Sequence, residues 1–230
     1  MRNKMFYAYI LIEFALFIAS FFFAVNPIIS FNYRILVTIG IGINIPFSLI
    51  LKPKEEMDKW FALSYSILLF IGELLYTITG NFILFMILFL IGFITVSIRL
   101  FIIMKDSPKI KTVMTGVLLG VTTVLLGLLL FKVIDLRYMF FYHIILILLL
   151  NTSIMVYRYK NCFVLEKPNW LFGGSGSLIF ILYLLSEMFG PSMDDTALMK
   201  EMIMFGSAVL LIPSVLMILM SFMLFEQREA

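Results

Sequence analysis

Long apolar runs broken by short polar connections set the pattern of this chain. The runs at 5–25, 34–51, 60–79, 82–104, 111–133, 138–157, 170–189 and 199–224 can each cross the ~30 Å hydrocarbon layer of a bilayer as a helix, at about 1.5 Å of rise per residue. The breaks between them carry pairs that stop helices: Asn26-Pro27, Lys52-Pro53, Gly80-Asn81, Ser107-Pro108, Lys167-Pro168 and Gly190-Pro191. The pattern predicts an all-α fold, a polytopic membrane protein built as a bundle of eight transmembrane helices. No connection is long enough to hold a soluble domain, so residues 1–230 are expected to form a single integral membrane domain. Arg2 and Lys4 precede the first run, as they would in a signal peptide. That run is too long for an h-region, contains Glu13 and lacks a small-x-small cleavage site, so it is read as a retained span.

Composition agrees with the pattern. Hydrophobic residues make up 63% of the chain and its mean hydropathy is +1.10, far above a globular domain. The single Cys162 permits no internal disulfide and points to no metal cluster. Sixteen Met and twenty-five Phe are read as lipid-facing and core packing, with no cofactor expected.

The net charge of +3 is less useful than its distribution. Of the seventeen Lys and Arg, all but Arg34, Lys132, Arg137 and Lys200 fall at the N-terminus, in the loops 52–59, 105–111 and 158–167, at the C-terminus or at the matching end of the fourth span. By the positive-inside rule that side is cytoplasmic, and so are both termini, as an even number of spans requires. Small-residue stripes mark faces for close helix packing: Gly40, Asn44 and Ser48 in the second span, Gly116, Gly120, Thr123 and Gly127 in the fifth, and Ser207, Ser214 and Ser221 in the last. Asn44 and Pro46 together are expected to open a local kink with free carbonyls.

Charged side chains inside spans are expensive, and they sort by depth. Glu73, Glu187 and His143 fall in the outer half; Glu13 and Arg99 fall in the inner half. The inner pair is expected to form a structural ion pair joining the first and fourth spans, although Arg99 has the alternative of snorkelling to phosphate. In the outer layer two carboxylates share no strong cation, which suits one acid and one carboxylate for general acid–base chemistry. Ser66, Leu69, Glu73 and Tyr76 share a helical face, as do Gly176, Tyr183 and Glu187, so each acid has a tyrosine one turn away.

Ser66 with Gly72-Glu73 in the third span, Gly92 with Arg99 in the fourth, Ser186-Glu187 closing the seventh, and eight spans in a chain of this length resemble the YhhN-like integral membrane family. That family includes the lysoplasmalogenases, which hydrolyse the vinyl ether bond of lysoplasmalogens to a fatty aldehyde and a glycerophospho-base. This chain has Gly-Glu and Ser-Glu where the family has Gly-Asp and Ser-Asp, and Arg99 where the family tends to His. The resemblance implies a lipid-metabolising hydrolase acting on a lysophospholipid, with Glu73 and Glu187 as catalytic carboxyls and His143 as a proton relay. Tyr76, Tyr183, Arg34, Lys132 and Arg137 would hold the substrate, with Lys200 at the same interface. The expected location is a prokaryotic cell membrane. The alternative is a non-enzymatic polytopic protein: a solute-binding or transport subunit, a sensor or an assembly partner. No inverted repeat, HExxH, GxSxG, phosphate loop or nucleic-acid module is present in the sequence, so neither a metal nor a nucleic-acid partner is expected.

Overall fold

A computed structural model of the chain describes residues 2–25, 32–50, 56–103, 176, 178, 179 and 209–223, and the described residues are helical apart from short connections. Five helices are described: α1 (Arg2–Val25), α2 (Tyr33–Ile50), α3 (Glu56–Thr79), α4 (Phe82–Ile103) and α5 (Leu211–Met223). Three of them, α1, α2 and α3, are long and apolar enough to cross a membrane; α4 and α5 carry shorter apolar stretches, Ile83–Arg99 and Leu211–Met220. Several long apolar helices of this kind are compatible with a membrane protein. The expected spans over 111–133, 138–157 and most of 170–189 lie outside the described residues.

Local chemistry explains where these helices start and stop. Asn32 caps α2, its Oδ1 accepting from the Arg34 N–H at 3.1 Å. α3 begins at Glu56, four residues before its apolar run, because Glu56 and Asp58 supply the negative charge that a helix N-terminus favours. Gly80 closes α3 with φ of +67°, a left-handed conformation that glycine adopts freely, and its N–H donates to the Tyr76 carbonyl at 2.8 Å. One residue later Asn81 caps α4, its Oδ1 accepting from the Leu84 N–H at 3.0 Å. The α3–α4 connection is therefore a tight helical hairpin.

Successive helices pack on one another, α1 on α2, α2 on α3 and α3 on α4, and α5 returns to lie against α2, α1 and α3. The core centres on Tyr65, Leu69, Phe85, Phe89 and Phe93 between α3 and α4, with Ile41 of α2. Tyr65 meets Phe93 edge-on, and Phe85 packs between Tyr76 and Phe89. Gly72 lets α4 approach, since a methyl group there would sit 3.2 Å from the Phe89 ring. The outward faces are apolar as well: Leu11, Phe14, Ile18, Phe21 and Phe22 of α1 are all at least half exposed. In water each such side chain would forgo about 1.5–3 kcal/mol of burial, so lipid is the solvent that suits this surface.

The small-residue stripe of α2 is buried throughout, at Gly40, Asn44 and Ser48. Pro46 lies inside α2 and offers no N–H to the Gly42 carbonyl one turn before it. Around it the Asn44 Nδ2 donates to the carbonyls of Gly40 (3.0 Å) and Ile41 (3.1 Å), and Ser48 Oγ donates to the Asn44 carbonyl at 2.8 Å.

Candidate functional site

Glu73 emerges on the core-facing side of α3, in line with Ser66 and Leu69; all three are fully buried and Tyr76 is half-buried beyond them. α2 runs antiparallel beside it, joined by a ladder of polar contacts. Thr38 and Thr77 meet at 3.1 Å, and Ser48 and Ser66 at 3.3 Å. At the end nearest the hairpin turn, Arg34 Nη1 donates to Glu73 Oε1 at 3.4 Å. The Arg34 guanidinium also lies 4.3 Å from the centroid of the Tyr76 ring. Glu73, Tyr76 and Arg34 thus form one cluster, joining three of the residues singled out in the sequence. Glu187, His143, Tyr183, Lys132, Arg137 and Lys200 lie outside the described residues.

Two expectations about charge change here. The outer carboxylates are expected to share no strong cation, yet Arg34, expected to hold substrate, reaches Glu73. One long flexible side chain at the start of α2 is enough to reach the carboxylate, and the Arg34 side chain as a whole stays 17% exposed.

The second correction concerns Glu13 and Arg99, which do not pair. Arg99 Nε donates instead to Asp58 Oδ1 of the first turn of α3, with Arg99 Nη1 3.8 Å from Met57 Sδ. The reason is architectural: α1 and α4 share no packing contact, whereas α3 and α4 are the most extensively packed pair. Glu13 lies against Gly40 of α2, where a methyl group would sit 3.4 Å from its Oε2. Counting along α2 and α3 through the Ser48–Ser66 contact places Gly40 roughly 24 Å in depth from Asp58. The inner layer of the sequence reading therefore separates into two sites, an α3–α4 ion pair and a carboxylate between α1 and α2.

Sequence reasoning missed Asp58, which it left in the 52–59 loop, and Tyr9, whose hydroxyl donates to Asn44 Oδ1 while its ring stacks on Phe47 at 3.5 Å. The available signal for Asp58 was its place in an acidic first turn, one helix length before the hairpin. For Tyr9 it was the one-turn spacing from Glu13. Among the described residues, no group of His, Cys, Asp and Glu is arranged to hold a metal ion. Comparison with protein-family models, with curated proteins and with solved structures gives no match to this chain.

Proposed function

We propose that the chain is an eight-span membrane protein with cytoplasmic termini that hydrolyses the vinyl ether bond of a lysophospholipid, in the manner of a lysoplasmalogenase, at its outer polar cluster. The observation that supports a site there is Glu73: a fully buried carboxylate in a membrane-length helix, faced by a guanidinium that an aromatic ring covers. The hydrolase chemistry itself rests on the resemblance of the Gly72-Glu73, Gly92 and Ser186-Glu187 pattern.

In this reading the two acids divide the work. Vinyl ether hydrolysis begins when an acid transfers a proton to the outer alkene carbon, giving an oxocarbenium ion. Water then adds to that cation and loses a proton, and the resulting hemiacetal collapses to aldehyde and alcohol. Glu73, facing Arg34, is the carboxylate of the pair; it stabilises the cation and orients the water. Glu187 is the proton donor, with His143 returning the proton. Arg34 is a positioning residue that fixes the Glu73 carboxylate.

A direct test is turnover of a lysoplasmalogen and of its saturated ether analogue by the purified protein in lipid. Only the first should be consumed, and Glu73→Gln and Glu187→Gln should each lower kcat by at least 100-fold, in the range of general acid–base contributions. Arg34→Gln should lower kcat with little change in KM, and Arg34→Lys should restore part of it. Absence of turnover by folded wild-type protein would leave the binding or sensor role, which the Arg34–Glu73 pair would then serve as a tie between α2 and α3.

A further inference from the structure

Glu13 takes no part in the outer cluster, yet it is buried to 1% exposure in α1, and neither carboxyl oxygen finds a hydrogen-bond donor among the described residues. Its surroundings are polar but already committed. The Tyr9 hydroxyl, one turn before it, donates its only hydrogen to Asn44 Oδ1. Both Asn44 amide hydrogens go to backbone carbonyls, those of Gly40 and Ile41. Every hydrogen in the cluster is therefore spoken for, and what the neighbours still offer Glu13 is lone pairs on Tyr9 Oη and Asn44 Oδ1.

Nor, among the described residues, does a cation face it. On α1 the titratable neighbour is Tyr9. α2 presents Gly40 and Asn44, and its one described cation, Arg34, is engaged with Glu73 and Tyr76. α5 packs Ile212 against Gly40 and carries no titratable side chain between Leu211 and Met223. Among the described residues, a carboxylate anion in this place could draw a hydrogen only from the Tyr9 hydroxyl, at the expense of the Tyr9–Asn44 bond. A carboxylic acid would supply the missing hydrogen to Tyr9 Oη and complete a chain from Glu13 through Tyr9 to Asn44. The close approach of the bare Gly40 backbone to the carboxyl favours an occupant that needs no coordination shell.

We propose that Glu13 is a proton-binding site inside the bundle, standing as a neutral carboxylic acid that donates to Tyr9 Oη in a Glu13–Tyr9–Asn44 chain. It is independent of the outer cluster and holds whether or not that cluster hydrolyses lipid.

Infrared difference spectra of wild-type protein and Glu13→Gln in lipid vesicles at neutral pH test it. The wild type should show a carboxylic-acid C=O band that the variant lacks, and Tyr9→Phe should shift that band by removing its hydrogen-bond partner. The second measurement needs no variant. Dicyclohexylcarbodiimide reacts in apolar surroundings with protonated carboxyls: the acid adds across one C=N bond, the acyl group migrates to nitrogen, and nothing leaves. Peptide mass spectrometry should place the resulting N-acylurea on Glu13, at a rate that falls at least tenfold as pH rises through the titration and is indifferent to sodium at fixed pH. Carboxylate bands in place of the acid band at neutral pH, or no adduct on Glu13 at any pH, would overturn the proposal. So would protection by sodium, which would make this a metal-cation site.

Discussion

Exchanging Arg99 for glutamine is the sharpest test of how the charges are paired. The substitution would leave Asp58, whose side chain is 11% exposed, without the guanidinium that Arg99 Nε places on it. Removing one partner of a buried pair costs about 3–5 kcal/mol. Asp58 lies in the first turn of α3, where the helix dipole offsets ~0.3–1 kcal/mol of that, so a loss of about 2–4 kcal/mol is expected. In thermal denaturation of the detergent-solubilised protein this should appear as a drop in Tm of roughly 4–16 °C. Asp58→Asn removes the other half, and the double variant should recover a coupling energy of ~1–3 kcal/mol, because two neutral amides strand no charge. A parallel cycle on Glu13→Gln and Arg99→Gln should be additive within about 0.5 kcal/mol, since their helices do not touch. Additivity in the first cycle, or coupling in the second, would refute the pairing.

Glycine positions give a graded test of packing. A methyl at Gly176 would meet the Ser214 carbonyl at 2.8 Å and the Ile218 nitrogen at 3.0 Å, backbone atoms that cannot rotate away, so Gly176→Ala should lose about 1–3 kcal/mol. Gly40→Ala meets side-chain atoms alone, Ile212 at 3.1 Å and Glu13 Oε2 at 3.4 Å, and should lose less than about 1 kcal/mol; thermal denaturation giving the reverse order would contradict the α2–α5 contact. Gly80 has open space around it but a φ of +67°, so Gly80→Ala should lose ~1–2 kcal/mol and Gly80→Asn clearly less, read from the same melting curves. Reporters fused at position 230 and in the 158–167 loop should both be cytoplasmic, and an external signal at either would reverse the proposed orientation.

The ends of α1 to α4 were legible because apolar length and breakers are one-dimensional properties. Gly80-Asn81 between two apolar runs carries its own turn chemistry, and the structure places the turn there. Rotation about the helix axis was not legible. α1 and α4 are apolar nearly all round, so no stripe in the sequence tells which face meets which neighbour, and Glu13 was paired with Arg99 on depth alone. Depth in turn was counted from span ends, which misses how far a side chain reaches: Arg34 belongs to the end of α2 yet touches Glu73. Asp58 was passed over for the same reason, since a residue assigned to a loop is not considered as a partner within the bundle. The polar stripe of α2 was the exception. Small polar residues one turn apart have few uses between apolar helices other than contact, and Gly40, Asn44 and Ser48 are all buried.

The two-residue turn at Gly80-Asn81 fixes the insertion register of the hairpin it joins. Asp58 and Arg99 stand on opposite arms, each about 30 Å from that turn at 1.5 Å per residue, close to a full hydrocarbon thickness. The two charges meet only when both arms have extended fully and side by side, so their contact acts as a latch at the open end of the hairpin. One residue inserted in the middle of α4 would swing Arg99 by about 100° around its axis and carry it off Asp58 while leaving the hydropathy of the span unchanged. Such an insertion would be invisible to any reading based on apolar length, yet it would leave two charges unlatched at the open end of the hairpin. The register set by the turn thus decides whether the Asp58–Arg99 contact can form.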